Sequence, residues 1–316
     1  KDQLEALLPH TLGTLADWAS KMRPLVKEIL PDIEARRKFW RIFFEKNDSH
    51  QFLSQQNGLK RKEVVALVRQ VMNHGSLAPT VSIVGAGPGD PELLTVKALR
   101  KIQEADVVVY DRLVSLEILK RARKEAKKIF VGKSRGLHTC GQEEINDILL
   151  REALSDSSVV RLKGGDPLIF GRGGEERAFL MKHGVEVDVV PGITAALGCG
   201  AASGIPMTHR DVAQAVTFIT GHGDGDLGLN WQALARLNHT LVVYMGIGAA
   251  AAISSKLIGN GMSSRVPVAV VANGTTMEQK LVVGRLETLP QLISQSDITA
   301  PAIIIIGEVV EQSRFE

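Results

Sequence analysis

Asp111 and Arg112 stand together directly after the apolar run Val107–Tyr110. A short, wholly apolar run of this kind reads as a buried strand, and ligands of open α/β sheets sit outside the carboxyl ends of their strands. Asp111 then has two readings: a group placed in a ligand cleft, or the cap of the next helix. Lys133, in Phe130-Val-Gly-Lys133-Ser-Arg135, closes the next strand-like run in the same way, where an exposed loop lysine is equally natural. A further run, Val159–Leu162, opens onto Lys163-Gly-Gly-Asp-Pro-Leu-Ile-Phe-Gly-Arg-Gly-Gly174. Five glycines in the eleven residues 164–174 cost backbone entropy and let a ligand approach the main chain closely. The G-x-x-x-x-G-K-[ST] spacing of a P-loop is absent. Arg161, Lys163 and Arg172 around the loop suit a substrate carrying many carboxylates.

A second glycine turn, Gly85-Ala-Gly-Pro-Gly-Asp90, also follows an apolar run. A dinucleotide fingerprint needs a third glycine where Asp90 stands, and Pro88 stiffens the turn. Asp90-Pro91 reads instead as a helix N-cap and its first helical residue. Turn-forming groups recur at Pro191-Gly-Ile-Thr194-Ala195, Gly204–Arg210, Tyr244-Met245-Gly246 and Asn273-Gly274. Met245 taken alone reads as core. His209 and His222 have no further ligand at metal spacing, so no metal is expected.

The elements that must position these groups alternate strand and helix from Val81 onward, which is the α/β pattern. One series covers Val81–Val190 and a second runs from Val216 to Ile306, meeting near Gly204–Arg210. The expected architecture is two tandem α/β/α domains, residues 80–208 and 209–316, with a cleft between them. Residues 1–76 read differently, as helices without a strand. Leu4, Leu7, Leu8, Leu15, Trp18, Met22, Leu25, Val26 and Ile29 mark one helical face, punctuated by Pro9, Pro24 and Pro31. A second helix carries Phe39, Trp40, Phe43 and Phe44, and a third runs from about residue 59 to 73. That apolar and aromatic surplus has no sheet to cover, which predicts a homodimer.

Composition narrows the function classes. At 44% hydrophobic and 23% charged residues the 316-residue chain reads as globular. No apolar run approaches the roughly 18 residues of a membrane span. Residues 1–76 hold 13 Lys and Arg against 9 Asp and Glu, the remainder 25 against 26. A nucleic-acid surface is therefore not expected on the large remainder. Cys140 and Cys199 form neither a CxxC pair nor a disulfide framework, which fits a reducing, cytoplasmic setting.

Together, Gly85–Asp90, Tyr110-Asp-Arg-Leu-Val114, Gly164–Gly173, Pro191–Ala195, Gly204–Arg210 and Tyr244-Met-Gly246 resemble the motifs of the tetrapyrrole methylases. The match is to their uroporphyrinogen III-methylating branch, in the form fused to a dehydrogenase–chelatase module, and covers about Val81–Val310. The resemblance implies S-adenosylmethionine as methyl donor, S-adenosylhomocysteine as product, and two successive C-methylations of uroporphyrinogen III toward precorrin-2. The end products implied are siroheme and cobalamin. It places Pro88, Gly164, Gly165, Asp166, Ile169, Thr194, Ala195, Met245 and Gly274 at the cofactor. Asp111 takes the role of proton acceptor and Lys133 that of proton donor. Arg112, Arg135, Arg161, Arg172 and Arg210 become clamps for the eight carboxylates of that substrate. Residues 1–76 resemble the helical dimerisation part of the fused module, whose NAD-binding portion would precede Lys1. The chain departs from the family pattern mainly at His222–Gly228.

Overall fold

The structure, a computed structural model, describes residues 11–33, 35–37, 39–40, 62, 64–66, 68–69, 79–132, 141–155, 157–221 and 228–312. The chain divides into two compact units, Lys1–Ala78 and Pro79–Glu316.

In the first unit α1 (Thr11–Ile29) runs through Pro24, where punctuation is expected from the sequence. Proline in a helix removes one backbone donor. The apolar stripe continues across it regardless, with Met22 and Val26 buried one turn apart. Asp32 then caps the next helical stretch, its carboxylate accepting the Ala35 N–H at 2.8 Å. That stretch carries the buried Phe39, whose ring meets Trp40 edge-on at 5.0 Å. Val64 and Val68 are again buried one turn apart on helical residues. Pro9, Phe43 and Phe44 lie outside the described residues. Among the described residues no helix is long and apolar enough to cross a membrane.

The second unit holds two five-stranded sheets. The first consists of β1 (Thr80–Gly85), β2 (Val107–Tyr110), β3 (Lys127–Phe130), β4 (Val159–Lys163) and β5 (Glu186–Val190). All neighbours are parallel, in the order β3-β2-β4-β1-β5. Its helices are α2 (Val96–Glu104), α3 (Leu116–Leu119), α4 (Gln142–Leu154) and α5 (Gly173–Lys182). Alternation along the strands feeds two cores. Val84, Val108 and Leu162 pack with Ala98, Ile102 and Ile118 on one face, and Val81, Ile83 and Val109 pack with Leu149 and Leu180 on the other. The helix expected to begin at Asp90-Pro91 is broken in two. Asp90 caps only the turn Pro91–Leu93, and Thr95 starts α2 afresh by accepting the Ala98 N–H at 3.1 Å.

The second sheet has β6 (Val216–Thr220), β7 (Thr240–Tyr244), β8 (Pro267–Ala272), β9 (Lys280–Arg285) and β10 (Ala302–Ile306), in the order β6-β7-β10-β8-β9. Only β6 and β7 run parallel; the other pairs are antiparallel. Leu241, Val243, Val268, Val270 and Ile304 meet α7 (Trp231–Arg236), α8 (Ala250–Gly259) and α9 (Leu289–Gln295) on one face. On the other face, Val242, Tyr244, Ala269, Val271 and Ile303 meet Ala196 and Cys199 of α6 (Ala195–Ser203). That helix follows β5 in the chain yet packs on the second sheet. Its small residues permit close packing: a Cβ on Gly198 would overlap the Pro88 ring, 2.7 Å from Pro88 Cβ.

Candidate active site

The order in which the chain visits the strands of the first sheet reverses at the neighbouring pair β1 and β4. From β1 the chain crosses by α2 to β2 on one side; from β4 it crosses by α5 to β5 on the other. Such a switch point opens a crevice at the strands' carboxyl ends. Here the two glycine turns face each other across it. Gly87 N–H donates to the Gly165 carbonyl at 3.1 Å, and Gly165 N–H returns a bond to Gly87 at 2.7 Å. Gly165 sits at φ +67, a conformation that L side chains rarely adopt. Asp166 ties this loop to the one after β5, its Oδ2 accepting the Gly192 N–H at 3.1 Å.

Two adjoining cavities open at this point. One, of about 560 Å³, is lined by Pro88, Asp111, Gly164, Gly165, Asp166, Ile169, Thr194, Ala195 and Met245, with Arg161, Lys163, Arg172 and Tyr244. The other, of about 400 Å³, shares Pro88, Ala195, Tyr244 and Met245 and adds Arg112, Cys199 and Gly274. Both volumes suit a small-molecule ligand. Of the six described non-glycine residues at positive φ, four line these cavities: Phe170, Arg172, Met245 and Asn273. Each such conformation costs about 1–3 kcal/mol and gathers where function demands it.

Tyr244 closes β7 under the shared wall. Its hydroxyl lies 2.6 Å from the Thr194 hydroxyl and accepts the Ala196 N–H at 3.1 Å, pinning the start of α6. Burial raises the phenol's pKa, so it remains a neutral hydrogen-bonding group. Met245 follows at φ +54 and is 49% exposed, which corrects its isolated reading as core: the turn swings it out of the strand and into both cavities.

Asp111 is held at both oxygens. Oδ1 accepts the Leu113 N–H at 3.0 Å and Oδ2 accepts from Arg161 Nη2 at 3.2 Å. It closes a tight turn and lines the cavity, but it is not the cap of the next helix: Ser115 caps α3, accepting the Ile118 N–H at 3.3 Å.

Comparison with known proteins decides the family. Residues 80–290 match the Tetrapyrrole (Corrin/Porphyrin) Methylases, and residues 11–66 match the Sirohaem synthase dimerisation region. The chain belongs to the tetrapyrrole methylases. It is 50% identical over 312 residues to the siroheme synthase of Enterobacter sp. (strain 638), covering 98% of this chain and 67% of that protein. It is 46% identical over 312 residues to that of Thioalkalivibrio sulfidiphilus, covering 98% of this chain and 64% of that protein. The chain thus spans about two thirds of the length of these relatives. Among solved structures, the uroporphyrin-III C-methyl transferase of Thermus thermophilus complexed with S-adenyl homocysteine aligns with a TM-score of 0.64 and 45% identity. The alignment covers 74% of this chain and 99% of that one.

All nine residues assigned to the methylase cofactor by motif line one or both cavities. The carboxylate clamps divide. Arg112 lines the second cavity and Arg172 the first, where Arg172 also grips Glu175 with Nε at 3.0 Å and Nη2 at 2.6 Å. Arg161 also lines the first cavity; its side chain is buried and four of its five N–H donors are engaged, Nε by Glu176, Nη1 by the Leu162 and Val109 carbonyls and Nη2 by Asp111, which leaves one Nη2 N–H uncommitted. Lys163, buried as well, turns to Glu176 at 2.9 Å. Burial, followed by the nearby Arg161 charge, lowers its pKa, with Glu176 opposing the shift. Arg210 is exposed and lines neither cavity. Lys133, Arg135 and the His222–Leu227 part of the divergent loop lie outside the described residues. Two groups at the site have no functional reading in the sequence, the Tyr244 hydroxyl and Glu176. Tyr244 stands inside the Tyr244-Met-Gly246 motif, whereas Glu176 gives no signal beyond an acidic first helical turn.

Proposed function

We propose that this tetrapyrrole methylase transfers methyl groups from S-adenosylmethionine to carbons of uroporphyrinogen III, twice, by way of precorrin-1 to precorrin-2. The observation that carries the reading is the meeting of two kinds of wall in one crevice: a main-chain cradle at Gly87, Gly164 and Gly165, and the fixed carboxylate of Asp111. A cofactor without phosphates suits a glycine cradle that lacks a P-loop. Pro88, Asp166, Ile169, Thr194, Ala195, Met245 and Gly274 would hold it. S-adenosylmethionine supplies an electrophilic methyl group on a cationic sulfur. The reacting pyrrole carbon is itself electron-rich, so positioning matters more than activating a nucleophile. A new C–C bond leaves positive charge on the macrocycle, which is relieved when a ring proton leaves. Asp111 takes that proton, and Lys133 acts as proton donor. Arg112, Arg135, Arg172 and Arg210 meet substrate carboxylates.

The chain works as a homodimer in the cytoplasm, a reading supported by the match of residues 11–66 to a dimerisation region and by the free, buried thiol of Cys199. The greater length of the siroheme synthases it resembles supports a second role within a longer protein, NAD-dependent precorrin-2 dehydrogenation and ferrochelation.

The test is single-turnover methylation followed by mass spectrometry, together with calorimetric titration of S-adenosylhomocysteine. Asp111→Asn should slow methylation by roughly 10²–10⁴-fold, the worth of a positioned base, and leave cofactor affinity unchanged. A destabilised but fully active Asp111→Asn would reduce Asp111 to a turn cap.

A further inference from the structure

Arg161 and Lys163 stand two residues apart on β4, the middle strand of the first sheet, and therefore project from the same face. Both are buried, at 2% and 5% exposure. Two cations in such a place need counter-charge, since the cost of removing an ion from water is met only by close, well-directed partners. The sheet supplies none beside them. The partner comes from the first turn of α5, where Glu176 is fully buried. Its Oε1 accepts from Lys163 Nζ at 2.9 Å, Arg161 Nε at 3.3 Å and Gln142 Nε2 at 3.4 Å.

The network continues outward. With Nε held by Glu176 and Nη1 held by the Leu162 carbonyl at 3.0 Å, the plane of the Arg161 guanidinium is set. Nη2 is thereby aimed at Asp111 Oδ2, 3.2 Å away. The Leu113 N–H fixes the other Asp111 oxygen at 3.0 Å. Asp111, Arg161 and Lys163 line the large cavity; Glu176 does not. The four charges balance, two of each sign, and one end of the chain is the carboxylate assigned to proton removal.

We infer that Glu176 is a positioning residue for methylation: acting through Arg161, it holds the Asp111 carboxylate in the orientation that receives the substrate proton. The inference rests on the reading of Asp111 as proton acceptor. A carboxylate free to rotate would meet the leaving proton in only a fraction of its orientations, and small misplacements of a reacting group are costly in rate. Lys163 has the complementary task of sharing Glu176, so that Arg161 is not drawn fully inward away from Asp111.

The test is a cycle of Glu176→Gln, Asp111→Asn and the double variant in the full chain, with kcat and KM for uroporphyrinogen III, S-adenosylhomocysteine affinity and melting temperature. Glu176→Gln should lower kcat by about 10–100-fold, as expected for lost orientation, with KM and cofactor affinity unchanged. In the Asp111→Asn background the same change should cost nothing more. A near-normal kcat in Glu176→Gln, or an equal loss in both backgrounds, would overturn the inference while leaving Asp111 as base. An Asp111→Asn variant at full rate would overturn the base itself, and the inference with it. Glu176→Gln/Lys163→Met, which removes one buried charge of each sign, must show the same signature and serves where the single variant does not fold.

Discussion

Gly165→Val separates the cost of a backbone conformation from the loss of a binding site. Gly165 lies at φ +67, and an L residue there costs about 1–2 kcal/mol. The space beside it is open. A Cβ would meet Ala195 N at 3.6 Å and Thr194 Cα at 3.9 Å, which are ordinary contacts. The penalty to folding is therefore conformational rather than steric, and for a unit of this size it corresponds to a fall in Tm of about 2–8 °C. Binding should respond differently. Gly165, Thr194 and Ala195 share the wall of the large cavity, so the two γ-methyl groups would stand where the cofactor is proposed to lie. Titration calorimetry with S-adenosylhomocysteine should show no binding to a protein whose circular dichroism remains native. Gly165→Ala, with the same strain and less bulk, should fall between Gly165→Val and the parent. Gly164 offers a contrast: its added Cβ would come 2.6 Å from Leu113 Cβ, pushing on the turn that carries Asp111. Parental affinity in a folded Gly165→Val would remove this loop from the cofactor site. Outright unfolding would show that the turn tolerates far less than its open space implies.

Gly274→Ala should weaken both stability and S-adenosylhomocysteine binding, because its Cβ would overlap Cys199 Sγ and overpacking of this kind costs about 1–3 kcal/mol. Adding Cys199→Ala makes room and should restore the Tm measured by calorimetry; no recovery would place the fault elsewhere. Residues 79–316 expressed alone should fold and bind S-adenosylhomocysteine, since both sheets and their cores lie within that unit. Analytical ultracentrifugation of the full chain should show a dimer at micromolar concentration, and a monomer would count against the role assigned to the N-terminal helices.

What the sequence reveals well is what depends on local pattern. The short apolar runs such as Val107–Tyr110 and Ile303–Ile306 are strands because both faces of each sheet are covered, so no polar alternation interrupts them. Their carboxyl ends then place Asp111, Gly164 and Gly165 at one crevice without further information. Local signals fail where two compete. Asp90-Pro91 is a sound helix start, yet Thr95 is another, and the second cap wins the helix. Met245 continues the apolar run of β7, and only its positive φ, invisible in the residue type, turns it toward the cavities. Arg161 looks like a free clamp because its partner Glu176 lies 15 residues further on, across a loop and on another element.

The placement of α6 shows why such non-local facts govern the site. By order in the chain, Ala195–Ser203 belongs with the parallel sheet, because it follows β5 directly. By packing it belongs to the other sheet, through Ala196 and Cys199. Its composition explains the assignment: nearly all its residues are small, so it has no broad apolar face to insert between large side chains, but it can approach closely. Gly198 allows contact with Pro88 from the first glycine turn, and Tyr244 from the second sheet bonds the Ala196 N–H at its start. One short helix therefore carries contacts from both sheets to the shared wall of the two cavities. A larger residue at Gly198 would separate Pro88 from α6 while leaving each sheet's own core intact. The cavities' geometry thus depends on that contact more than on the stability of either sheet.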